Sequence, residues 1–222
     1  MAGHETPSRD EQGEQHPLLA FADLMRVLRD GCSWKPAQTH TSLKRFLVEE
    51  AYEVLEAIDE GEASGDFSHL REELGDLLLQ VYFHAAIAEE RGEFTLADVA
   101  ADIDAKMRRR NPHVIGPDAR PGLTPDEVDA LWQAAKAAEP GRSQTGAEAA
   151  SFTEGISTEL PGLMWASKVW GRFEHAGVAP DLPAAGDSGA PLGDRLLALV
   201  AEARAAGLDA EQELRTAVRR RL

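Results

Sequence analysis

Apolar residues recur every three or four positions through most of this chain, and no stretch alternates them with polar residues in the β-branched manner of a strand. That periodicity limits the chain to an all-α fold, a bundle of amphipathic helices. One segment breaks the rule that gives such helices their inner face. The run "LVEEAYEVLEAIDEG", Leu47 to Gly61, sets a carboxylate where an apolar or small side chain belongs. Successive helical residues advance by about 100°, so with Leu43 at zero, Leu47, Ala51, Val54 and Ile58 fall within about 80° of it. Glu50 falls about 20° to the other side, inside the apolar arc. Glu53 lies at the edge of that arc, near Phe46, and Glu49 sits further round.

A second run, "LREELGDLLLQVYFHAAIAEERG" from Leu70 to Gly92, repeats the arrangement. Leu70, Leu74, Leu77, Val81 and Ala85 form its expected core stripe, bordered by Glu73 and His84, with Asp76 just outside. Glu56, Asp59, Glu60 and Glu72 read as solvated surface. Glu50 does not, because an unpaired buried carboxylate is costly and several together repel one another. A cation is the usual remedy. Residues three apart share a helix face, so Glu50 with Glu53, and Glu73 with Asp76, are placed to grip a common ion from two sides. An all-oxygen set suits Mg²⁺ or Mn²⁺ rather than Zn²⁺. A di-iron carboxylate bundle is the neighbouring alternative, but it needs Glu-x-x-His spacing on two helices. Neither acid-bearing run has it, so His84 reads as a packing or outer-sphere histidine.

The chain has 39 acidic and 23 basic residues in 222, a net charge of −16. Such a surface repels phosphate backbones and anionic membranes, and no segment approaches the roughly 20 apolar residues of a membrane span. Neither nucleic acid nor membrane is therefore an expected partner. Cys32 is the single cysteine and residues 1–16 lack the apolar run of a signal peptide, so the expected location is the cytoplasm. The same 16 residues are polar enough to be disordered. Positive charge is concentrated in "KMRRR", Lys106 to Arg110, at the end of a helix opened by Thr95 and Asp98 in capping-box spacing. Basic side chains beside a metal–carboxylate centre suit a triphosphate.

Further helices are expected over 125–138, opened by Thr124 and Pro125, then over about 160–174 and in two closing segments, with 139–153 as linker. "LGDLLLQV" at 74–81 returns as "LGDRLLAL" at 192–199, and each copy is followed by a helix ending in arginines. Two Leu/Ala-rich helices can match by chance, but the shared order favours a decayed repeat. Pro191 stands where the first copy has Glu73, so Asp194 has no acidic partner and the second copy is expected to pack rather than catalyse.

"CSWKPAQTHTSL", "LVEEAYEVLEAI", "LREELGDLLLQVYFHAAIAEE" and "KMRRRNPHVIG" resemble, in order and spacing, the MazG family of nucleoside triphosphate pyrophosphohydrolases. The resemblance covers about residues 18–118, and the remainder is similar to the linker and tail of two-domain members. It implies a helical bundle that forms a homodimer, and hydrolysis of nucleoside triphosphates between the α and β phosphates, with nucleotide-pool cleaning as the role. By matching position, Glu50, Glu53, Glu73 and Asp76 would hold Mg²⁺, with Mn²⁺ as substitute. Glu49 and Glu50 would be catalytic, Glu49 as an outer ligand or as the group orienting water. Lys106, Arg109 and Arg110 would hold phosphate, and Trp34 would either stack on the base or serve in packing. Two segments depart from the family pattern, Cys32-Ser33-Trp34-Lys35 and Arg109-Arg110-Asn111-Pro112-His113. The implied division is a tail at 1–16, a catalytic domain at 17–138, a linker at 139–153 and a degenerate, non-catalytic repeat at 154–222. A non-catalytic helical module that binds a basic partner protein is the rival reading from another class.

Overall fold

A computed structural model describes residues 15–116, 119–120, 122–137, 152–178 and 180–221. Of the tail expected at 1–16, only Gln15 and His16 lie within the described residues. They are tied to the first helix, Gln15 by its amide on Asp23 at 2.8 Å and His16 by accepting the Leu18 amide N–H. The expected linker lies outside the described residues except for its last two positions. Among the described residues the regular structure is helical; Gln15 is an isolated bridge position. The helices are α1 (Pro17–Gly31), α2 (His40–Ser64), α3 (Ser68–Glu90), α4 (Leu96–Arg110), the single turn α5 (Pro112–Ile115), α6 (Pro125–Ala137), α7 (Gly162–Ala176), α8 (Leu192–Ala205) and α9 (Ala210–Arg219). Contacts divide the chain into two compact units, residues 1–133 and 134–222.

Local signals explain the boundaries of the first unit. Thr39 and Ser42 form a capping box at the start of α2, and Thr95 with Asp98 does the same for α4. Gly61 does not stop α2. The helix continues to Ser64 and ends at Gly65, whose φ of 78° is the left-handed conformation glycine adopts freely. Gly61 is needed for a different reason. A Cβ there would lie 2.5 Å from the Phe67 ring, so only glycine lets the turn close against α2.

α2 and α3 form an antiparallel hairpin, since His40 meets His84 at one end and Glu60 meets His69 at the other. The core fills only one half of it. Met25 from α1, Leu43 from α2 and Tyr82, Phe83 and Ile87 from α3 are buried together, with Phe21, Phe46, Leu78, Leu79 and Leu96 packed around them. α3 therefore turns residues 78, 79, 82, 83 and 87 inward, and of the expected stripe only Ala85 is fully buried. Leu74 remains 49% exposed, and Leu47, Val48, Ile58 and Val81 are also exposed. These apolar side chains, in both halves of the hairpin, are left uncovered by the described residues of this unit.

In the second unit α7, α8 and α9 pack on one another around Trp170 and Val200. Arg204 of α8 donates to Glu174 and Ser167 of α7. It lies so close to Gly171 that a Cβ there would sit 2.7 Å from its Nη2. α8 begins at Leu192 with Pro191 as its cap, so the repeated Leu-Gly-Asp occupies a first turn. In α3 the same tripeptide lies in the second turn, preceded by the turn that carries Glu73.

Candidate metal centre

α3 carries a polar ladder, His69, Glu73, Asp76, Gln80 and His84, at steps of three and four residues, so all five point toward α2. From the turn inward, His69 faces Glu60 at 2.8 Å and Glu73 at 2.9 Å. Next, Glu50, Glu73 and Asp76 each bring a carboxylate oxygen within 4.8 Å of the others. Gln80 then donates from Nε2 to Glu50 Oε1 at 3.3 Å. His40 and His84 close the seam, their parallel rings bringing the two Nδ1 atoms within 2.7 Å of each other.

Electrostatics single out Glu50. Partial burial pushes its carboxyl pKa up, and the charges of Asp76 and then Glu53 push it further; only the Gln80 amide opposes them. Three converging carboxylates on two helices form an anionic cluster with no cation among the side chains of the set, and hard oxygen donors of this kind fit a divalent ion. Two buried atoms along the same ladder, Gln80 Oε1 and His84 Nε2, have no hydrogen-bond partner among the described residues. Burial, and then the neighbouring His40, depresses the His84 pKa, so this ring is neutral. The carboxylates of Glu60 and Glu73 raise that of His69, Glu60 the more strongly.

Because the folded pKa of Glu50 is raised, its contribution to stability is fully present below the ordinary glutamate value of 4.5 and is lost as pH rises through the folded pKa. At neutral pH the charged form is a destabilising group in the metal-free protein. Glu50→Gln is therefore expected to raise the metal-free melting temperature by about 2 °C at pH 7 and to flatten its fall as pH rises above the ordinary glutamate value. A melting series from about pH 4 to 8 checks this, and an unchanged or lower melting temperature at neutral pH contradicts it.

The structure thus brings together three of the four expected ligands. Glu53 is exposed beside Glu50, and its oxygens lie outside the converging set. Glu49 is exposed on the outer side of α2. Lys106 and Arg109 are exposed at the end of α4, Arg108 is paired with Asp104 at 2.7 Å, and Arg110 lies over the Trp132 ring at 4.8 Å. Trp34 is half exposed, edge-on to Phe46 and Phe83. The sequence reading passes over Gln80 and His69, although their spacing from Glu73 and Asp76 signals a shared face.

Comparison with known proteins places this geometry in context. Residues 38–115 match the MazG nucleotide pyrophosphohydrolase domain, a span that contains both ladder helices and the basic end of α4. An uncharacterized 26.1 kDa protein of Streptomyces cacaoi is 39% identical over 204 residues, which are 90% of this chain and 77% of that protein. A nucleoside triphosphate pyrophosphohydrolase of Mycobacterium tuberculosis is 37% identical over 94% of this chain, and the nucleoside triphosphate pyrophosphohydrolase/pyrophosphatase MazG of Thermotoga maritima is 38% identical over 72%. The chain spans only 56% and 58% of those two relatives. With the matched domain lying on the two helices that converge their carboxylates, and with similarity continuing through the second unit, this chain belongs to the all-α MazG nucleotide pyrophosphohydrolase family.

Proposed function

We propose that the chain hydrolyses nucleoside triphosphates between the α and β phosphates, releasing the monophosphate and pyrophosphate, with Mg²⁺ as working ion and Mn²⁺ as substitute, and that it serves to clean the nucleotide pool. The observation that carries this is the convergence of Glu50, Glu73 and Asp76 from two helices. Relatives named for this activity support it. When bound, the divalent ion would supply charge neutralisation and activation of water. The chain's own part is to hold and orient. Glu50, Glu73 and Asp76, joined by Glu53, hold the ion, and Gln80 fixes the Glu50 carboxylate through its amide. Glu49 orients the attacking water from the outer side of α2. Lys106, Arg109 and Arg110 stabilise charge growing on the leaving pyrophosphate. Trp34, half exposed on a loop braced by the core, stacks on the base.

The uncovered apolar residues Leu47, Val48, Ile58, Leu74 and Val81 support a homodimer formed through the α2–α3 hairpin. No helix among the described residues is long and apolar enough to cross a membrane, and a cytoplasmic location agrees with the single cysteine. Residues 17–138 form the catalytic domain in this reading and 154–222 a degenerate repeat. Asp194 is exposed in the first turn of α8, where no earlier helical turn supplies a second acid.

Incubation of the purified chain with Mg²⁺ and a panel of ordinary and damaged triphosphates tests the activity. Monophosphate and pyrophosphate are the expected products, and release of orthophosphate or no turnover overturns the proposal. Asp194→Asn is expected to retain activity within about twofold in the same assay, since one carboxylate cannot hold a hard ion against water. Loss of turnover there would give the second unit a chemical role.

A further inference from the structure

The ring of His69 is held between two carboxylates that belong to different helices. Its Nδ1 lies 2.8 Å from Glu60 of α2, and its Nε2 lies 2.9 Å from Oε1 of Glu73, one turn further along α3. Of the three, Glu73 is the least exposed, its side chain 12% accessible against 45% for His69 and 57% for Glu60. The ring therefore stands on the solvent side of Glu73 and leans on α2 through Glu60. A free glutamate has several rotamers, and fixing one of them costs side-chain entropy that a preset carboxylate no longer loses when an ion binds. A donor at Nε2 takes up one Glu73 oxygen and leaves the carboxylate with acceptor capacity for a cation.

We propose that His69 is a positioning residue: buttressed by Glu60, it presets the Glu73 carboxylate toward Glu50 and Asp76, so that a divalent ion meets a ready-made set. The proposal rests on the metal-centre reading above, and it gives His69 no contact with substrate. Hydrogen-bond partners of metal-binding carboxylates typically contribute about 10–100-fold to affinity. His69→Ala is expected to weaken Mn²⁺ binding, followed by electron paramagnetic resonance of the free ion, on the order of tenfold. It should shift the Mg²⁺ concentration giving half of the melting-temperature gain by a similar factor. The metal-free melting temperature should move by less than about 4 °C, because an exposed ion pair contributes little to stability. His69→Gln keeps an N–H donor near the Nε2 position and should recover most of the affinity. Glu60→Gln removes the buttress charge and should fall between the two.

The controls separate failures. If the wild type binds neither ion, or Asp76→Asn binds like the wild type, the metal centre itself is wrong and the positioning role falls with it. If both behave as expected but His69→Ala binds Mn²⁺ within about twofold of the wild type, the positioning role alone is overturned. Tighter binding by His69→Ala also overturns it, since the ring would then compete with the ion. So does an equal loss in the Ala and Gln variants accompanied by a lower metal-free melting temperature, which marks a plain staple of the hairpin.

Discussion

Asp76→Asn is expected to lower pyrophosphate release by at least about a hundredfold at millimolar Mg²⁺, while the metal-free protein melts no lower than the wild type. Loss of a group that merely supports a metal ligand already costs about 10–100-fold in affinity or activity, so loss of a ligand charge should exceed that. The stability half of the expectation comes from the same charge seen from Glu50. Asp76 is the strongest charged contributor to the raised pKa of that carboxyl, so neutralising it removes repulsion from the metal-free fold. Activity and metal-free stability should therefore move in opposite directions. The two are measured by product release across a Mg²⁺ titration and by melting in chelator. A variant that turns over normally at limiting Mg²⁺ would remove Asp76 from the site, and one that melts well below the wild type in chelator would make it structural.

The other large effect lies away from the carboxylates. Arg29 is 6% exposed, and its guanidinium donates through Nε and Nη2 to the Glu90 carboxylate and through Nη1 to the carbonyls of Lys35 and Gln38. It also lies over the Phe83 ring at 5.6 Å. One side chain thus ties α1, the C-terminal turn of α3 and the loop before α2 into a single corner. Arg29→Met keeps much of the apolar stem but strands the Lys35 and Gln38 carbonyls, while the half-exposed Glu90 is rehydrated, so the loss is about 2 kcal/mol. For a chain of this size the melting temperature should fall by roughly 6 °C. Arg29→Lys keeps the charge but not the fork, and should lose about half as much. The pair also has a pH signature. The Arg29 hydrogen bonds hold the Glu90 carboxyl below its usual range, so the stability they supply is present above that range and disappears as pH falls through the lowered value. The Arg29→Met variant should accordingly show a shallower loss of stability in acid. If it melts within about 3 °C of the wild type at neutral pH, the corner is redundant.

The sequence makes the helices and the acids legible because both depend on local spacing. Capping boxes at Thr95 and Thr124 and the carboxylates three residues apart are found where residue types place them. What a helical wheel cannot supply is which side of α3 the rest of the chain covers. Leu74 and Val81 satisfy the periodicity as well as Tyr82, Phe83 and Ile87 do, and only packing by α1 and α2 decides between them. Gly61 misleads for a related reason. A glycine late in a helix signals a stop, yet here its missing side chain is required by Phe67, a residue six positions on. The His40–His84 contact joins residues 44 apart, and pairing across that separation leaves no trace in either helix alone. At the metal centre the converging set is readable in outline, but the places of Glu53 at its edge and of Gln80 as a donor come from the register of the hairpin.

That register has a consequence for how the molecule yields. The α2–α3 hairpin is fastened at its His40–His84 end by the hydrophobic core, and at its Glu60–His69 end by the Phe67 ring on Gly61, polar contacts and repelling carboxylates. Such a hairpin frays from the acidic end first, as a local opening far cheaper than global unfolding. A cation held by both helices would act there as a second clasp, and its binding free energy would be spent partly on closing the hairpin. Slow amide exchange along residues 70–77 would then report cation concentration, while exchange along 82–88 would scarcely notice it.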